Sequence, residues 1–76
     1  MKDALFYVVS SIVDDQKSVE IDEEEEGDSI SFIIRVAKED IGKVIGKEGK
    51  IIRSIRNVLK IPAIKQGKRI TVSLAE

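Results

Sequence analysis

The chain has 76 residues, 42% of them apolar and 36% charged, with no cysteine and no histidine. That is one domain near the lower limit for a self-supporting core, and it excludes disulfides, thiolate nucleophiles, cysteine metal sites and the histidine proton shuttle. The formal charge of −1 conceals a division: Met1–Asp40 carries four Lys/Arg against twelve Asp/Glu, a balance of −8, and Ile41–Glu76 carries nine against two, a balance of +7.

Leu5, Val8, Val9 and Ile12 recur at helical spacing, with Phe6 and Val13 widening the stripe. They predict a helix from about Lys2 to Val13, ended by Asp14-Asp15. Phe6 and Tyr7 are read as packing residues, Tyr7 alternatively as a partner contact on the solvent side. The N-terminus carries an acid and lacks the basic start and apolar run of a secretory signal. The uncharged stretch Ala4–Val13 is too short to span a bilayer. A cytoplasmic protein without membrane insertion is therefore expected.

Ser18–Asp22 alternates polar and apolar residues and predicts a strand. Glu23–Glu26 is assigned to the link that follows, with Gly27-Asp28 as its turn. Four consecutive glutamates do not converge on a cation, so they are read as a solvated, mutually repelling segment that also keeps a polyanion from that end. Ser29–Val36 alternates again, with Ile30, Phe32, Ile34 and Val36 on one face, and closes a hairpin. Ile33 and Arg35 share the other face, which is therefore not wholly wet.

Lys38-Glu39-Asp40 opens a short helix with Ile41, Val44 and Ile45 on one side. Gly42 within it costs about 1 kcal/mol relative to alanine, so a packing or backbone-approach role is expected for it. Beyond Gly49, Ile52, Ile55, Val58 and Leu59 form the next apolar stripe, with Ile51 at its border and Lys50, Arg53, Asn57 and Lys60 on the other side. Pro62 is expected to stop this helix, leaving Ile61–Ile64 as an apolar segment behind it and Lys65–Lys68 as a connector. Arg69–Leu74 supplies the last strand, with Ile70, Val72 and Leu74 inward. The order α-β-β-α-α-β can lay helices over one face of a three-stranded sheet, a two-layer α+β domain across residues 1–76.

The chemistry concentrates at Val44-Ile45-Gly46-Lys47-Glu48-Gly49-Lys50-Ile51-Ile52. Two glycines three apart make a backbone-exposing turn between helices. The free N–H groups and positive dipole end of the second helix face that turn, a natural seat for a phosphate. Lys47, Lys50 and Arg53 add formal charge. As a nucleotide-binding P-loop the segment fails, because G-x-x-x-G-K is one residue short and Glu48 stands where a Mg²⁺-binding Ser or Thr is required. It can also be mere punctuation between two helices, and each basic residue can be an ordinary solvated side chain.

The motif and its surroundings resemble KH domains, RNA-binding modules whose G-x-x-G loop clamps a nucleic-acid backbone. The N-terminal helix, acidic strand-turn-strand, D-I-G-K-V-I-G-K-E-G and final strand are similar to the small bacterial KhpA-type members. The resemblance implies the type II KH arrangement and a groove for about four nucleotides of single strand. Gly46 and Gly49 would shape the loop, Lys47 and Glu48 would be its variable residues, and Ile45 and Ile52 would help floor the groove. Lys50 and Arg53 are added from helical geometry as phosphate contacts, with Lys43 a weaker candidate. Glu48 is awkward beside a phosphate and reads otherwise as a carboxylate at a helix start.

No cofactor, metal or catalytic role is expected. Ser54 and Lys50 lie at i and i+4, but nothing marks a cleft around them. The expected partner is single-stranded RNA, bound in the manner of an RNA chaperone or regulator. A second reading makes the fold mainly a dimerisation module. A homodimer through Ile61–Ile64, if those residues face outward, or pairing with a larger KH-containing protein would then complete the assembly.

Overall fold

The computed structural model describes residues 1–75. Helix α1, Lys2–Ile12, buries Leu5 and Val9 one turn apart and carries Asp3 in its first turn, where a carboxylate complements the helix dipole. It ends as Val13 turns extended, at φ −100° and ψ 158°. A single 3-10 turn, Gln16–Ser18, leads into β1, Glu20–Glu26, and β2 follows at Ser29–Arg35. These strands pair antiparallel from Glu20 opposite Arg35 to Glu26 opposite Ser29. Gly27 opens the two-residue turn at φ +59°, the positive angle such turns need at that position.

The acidic run is thus strand and not link, which corrects the expectation from sequence. Glu23, Glu24, Glu25 and Glu26 stand opposite Phe32, Ser31, Ile30 and Ser29. No like charge faces them across the ladder, where it would have been destabilising, and all four stay in solvent.

A 3-10 turn at Lys38–Asp40 precedes α2, Ile41–Ile45. Another, Lys47–Gly49, precedes α3, Lys50–Lys65, and β3 closes the chain at Arg69–Leu74. β3 runs parallel to β2, from Ser29 beside Arg69 to Ile34 beside Leu74, so the sheet is mixed, in the order β1-β2-β3. Parallel neighbours need a crossover, and α2 with α3 supplies it across the face that α1 also covers. This is the two-layer α+β arrangement expected.

Phe32 and Ile34 of the central strand have no exposed surface, nor do Val9 and Val44 from the helices above them. Leu5, Val13, Val19, Ile21, Ile30, Ile55 and Leu59 join them in the core, with Ile70, Val72 and Leu74 packed against it. The opposite sheet face is polar around a half-buried Ile33: Arg35 Nε donates to Asp22 Oδ2 at 2.7 Å, and Thr71 Oγ1 to Ser31 Oγ at 3.1 Å.

Three further expectations are corrected. Pro62 does not stop α3, which continues to Lys65. The proline removes only the donor to the carbonyl of Val58, a residue 63% exposed, on a side of the helix that solvent can reach. The helix ends instead at Gly67, φ +70°, with Lys68 N bonded to Ala63 O at 2.8 Å and Gly67 N to Ile64 O at 3.0 Å, the paired bonds of a left-handed glycine cap. Ile61–Ile64 therefore lies within α3. Val58, expected in the core stripe, is exposed because Ala63 continues the buried line from Ile55 and Leu59. Tyr7 is 74% exposed and Phe6 44%, so neither is a core residue. Leu5 and Val9 face the sheet, and the positions between them turn outward.

Candidate nucleic-acid interface

α2 ends at Gly46, whose N–H bonds to Gly42 O at 2.9 Å and whose backbone then swings to φ 76° and ψ 175°. Only glycine occupies that region readily. A Cβ placed there would also lie 2.5 Å from Ile51 Cγ1, so Gly46 is demanded twice, by its angles and by the isoleucine packed over it. Gly49, at φ 74° and ψ 16°, is demanded by its angles alone, since the space around it is open. Between them Glu48 sits at φ 57° and ψ 25°, a left-handed setting that costs a non-glycine residue about 1–2 kcal/mol.

The loop is closed by Gly49 N to Gly46 O at 3.2 Å. Among the described residues, the N–H groups of Lys47 and Glu48 meet no acceptor. Lys47 and Glu48 are exposed, Gly46 and Gly49 half-buried, and the flanking Ile45 and Ile52 half-buried beside them. The structure thus brings together eight of the nine predicted site residues at one helix entrance.

The cations there differ in what they already hold. Lys43 pairs with Asp14 and lies 3.7 Å from Asp40 Oδ1; the hydrogen bond to Asp14 raises its pKa, and its ammonium is turned toward the α1–β1 connector. Arg53 donates a guanidinium N–H to Glu48 O at 3.3 Å. Lys47 and Lys50 take part in no ion pair among the described residues. Arg56 and Lys60 follow Arg53 at i+3 and i+7 and extend a basic flank along α3. The sequence reading left Arg56 out of the site, although that spacing was available to find it.

At the start of α2, the other end of that helix from the loop, Asp40 is 2% exposed. Its carboxylate accepts N–H bonds from Asp15 at 3.0 Å and Asp14 at 3.2 Å. These bonds, Asp15's first, hold its pKa below the usual carboxylate range against the opposing effect of burial. The cluster ties the end of α1 to the start of α2 and so fixes the platform from which the loop projects. Gly42 shows no packing partner that would require glycine, since a Cβ there would meet nothing within 4 Å. Ser54 donates to the carbonyl of Lys50 at 2.8 Å, so its hydroxyl is engaged with the helix and not with the ammonium.

The acidic hairpin lies at the other end of α3, where Arg69 N bonds to Asp28 O at 2.7 Å. A helix of sixteen residues is about 24 Å long, so the negative turn and the glycine loop are well separated.

A model of the KhpA/KhpB KH-domain family matches residues 2–74. Similar proteins include the RNA-binding protein KhpA of Clostridium acetobutylicum, 42% identical over 74 residues that make up 97% of this chain and 99% of that one. The RNA-binding protein KhpA of Chlamydia caviae is 38% identical over 76 residues, covering 100% of this chain and 97% of its own. That of Listeria monocytogenes is 34% identical over 76 residues, covering both chains entirely. No solved structure matches the chain significantly.

Proposed function

This chain belongs to the KhpA/KhpB family of KH domains, and from that premise we propose that it is a non-catalytic, single-stranded RNA-binding protein of the chaperone or regulator type. The observation that carries the reading is the Gly46–Gly49 loop, whose Lys47 and Glu48 N–H groups and whose lysines, Lys47 and Lys50, are without partners among the described residues. The N–H groups and ammoniums grip phosphate oxygens, and Ile45 and Ile52 line the adjoining apolar surface. Contacts of this kind position a strand without reading its bases, so sequence tolerance is broad. Lys43, already shared by two aspartates, contributes least. Among the described residues no helix is long and apolar enough to cross a membrane, and a cytoplasmic site of action suits the reading.

Replacing both Lys47 and Glu48 by aspartate tests it. Gel-shift affinity for a short single-stranded RNA is expected to vanish while circular dichroism is unchanged. Retained affinity removes the loop from the mechanism.

A second reading, self-association, is favoured by one specific feature. Val58, Ile61 and Ile64 of α3 are 63%, 60% and 71% exposed. Val58 also lines an apolar groove of about 350 Å³ between α1 and α3, with Val8 and Ile51 among its other walls. Exposed apolar side chains beside such a groove suit an interaction surface, for a second copy or a larger KH-containing partner. Two linked weak clamps would also gain avidity. Ile61→Asp is expected to give a folded monomer in sedimentation if wild type is a dimer; an unchanged sedimentation coefficient rejects the interface.

A further inference from the structure

We propose that Arg53 is a positioning residue that braces the glycine loop in its binding shape, and is not a contact to the bound strand. The inference rests on the reading of that loop as the RNA clamp and deepens it. The peptide group joining Glu48 to Gly49 is held at both ends. Its N–H donates to Gly46 O at 3.2 Å, and its carbonyl accepts from the Arg53 guanidinium at 3.3 Å.

That peptide is where the loop most needs holding. Glu48 occupies φ 57°, and Gly49 follows at φ 74°. Glycine carries no preference for one sign of φ, and the strained glutamate would gain by relaxing to negative φ. Neither residue's own preference therefore keeps the loop as it is. On its other side the loop is held by Ile51, packed on Gly46. Arg53 and Ile51 thus clamp it from within the first turn of α3. With the Glu48–Gly49 peptide fixed, the N–H groups of Lys47 and Glu48 are left without an acceptor among the described residues before any ligand arrives. Affinity gained in this way comes from preorganisation and not from an added contact.

A direct phosphate contact and a brace predict different measurements. A lost phosphate contact lowers the slope of log affinity against log salt by about 0.7 for single strands, whereas a lost brace leaves that slope unchanged. Arg53→Ala and Arg53→Lys are compared with wild type by hydrogen exchange of the Gly49 amide without RNA, and by salt-dependent binding of a short single-stranded RNA. With a brace, Arg53→Ala exchanges the Gly49 amide several-fold faster and binds about 3- to 10-fold more weakly, at the wild-type slope. Arg53→Lys, which keeps a donor, recovers part of both. Unchanged Gly49 exchange in Arg53→Ala overturns the proposal, and a reduced slope alongside it makes Arg53 a phosphate contact. Should wild type bind no single strand, the RNA-clamp reading fails by itself, and the exchange measurement still decides the brace.

Discussion

Helix α3 has a glycine turn at each end, and the two are put to opposite uses. At its C-terminal end Gly67 closes the helix, and Lys68 Nζ donates to Glu25 Oε2 at 2.9 Å and to Gly27 O at 3.2 Å. That pairing raises the Lys68 pKa and knits the acidic hairpin to β3. At the N-terminal end the turn holds a strained glutamate between two positive-φ glycines, and Lys47 and Lys50 stand without partners among the described residues. At the first end the backbone and the Lys68 ammonium are used up in stability, although Lys65 and Arg69 form no ion pair there among the described residues. At the second end charge and backbone are left available, which is the condition for binding a polyanion.

The largest expected effect comes from substituting the glycines themselves. Gly46→Ala must enter a glycine-only region and displace Ile51, and should lower stability by about 2–4 kcal/mol in urea denaturation. Gly67→Ala meets open space and should cost about 1 kcal/mol, from backbone strain alone. Equal losses at the two positions would break the comparison.

Next comes salt dependence. Lys47→Ala and Lys50→Ala should each reduce the salt slope of RNA binding by about 0.7. Lys68→Ala should leave the slope untouched, because its ammonium already serves Glu25. A drop with Lys68→Ala would show that the strand reaches the hairpin end.

A pH titration separates the platform from the loop. Asp40 binds its proton less tightly in the folded chain than in the unfolded one, so its contribution is complete at neutral pH. That contribution is lost as pH falls below about 4, through the folded value. The urea midpoint should therefore decline on the acid side, and Asp40→Asn should flatten that limb while lowering the midpoint at pH 7. A limb unchanged by Asp40→Asn assigns the acid sensitivity to other carboxylates.

The smallest effect is expected at Gly42. Alanine there should raise stability by about 0.5–1 kcal/mol, since nothing in the chain opposes a methyl group. Weaker RNA binding by the same variant would assign that bare face of α2 to the strand.

Much of this was legible in the sequence because period and punctuation agree. Ile30, Phe32 and Ile34 alternate as a strand over a core must, and Leu5 and Val9 lie one helical turn apart. The glycine pair marked the junction of two helices for the same reason it is needed there, positive φ. Other features depend on tertiary context. Pro62 reads as a stop, yet the donor it removes is one to Val58, on the exposed side of α3. The glutamate run reads as a link, yet its partners across the ladder are uncharged. Which cations are free was not readable either, because Lys43 meets Asp14, and Lys68 meets Glu25, across long stretches of chain.

The most direct measurement is a chemical-shift titration of the amide resonances with a short single-stranded RNA. Shifts should centre on Gly46–Lys50 and the Arg53–Lys60 flank of α3, while Glu24–Asp28 at the opposite end stay still. Shifts centred on the hairpin or the polar sheet face, or none at saturating RNA, would contradict the account.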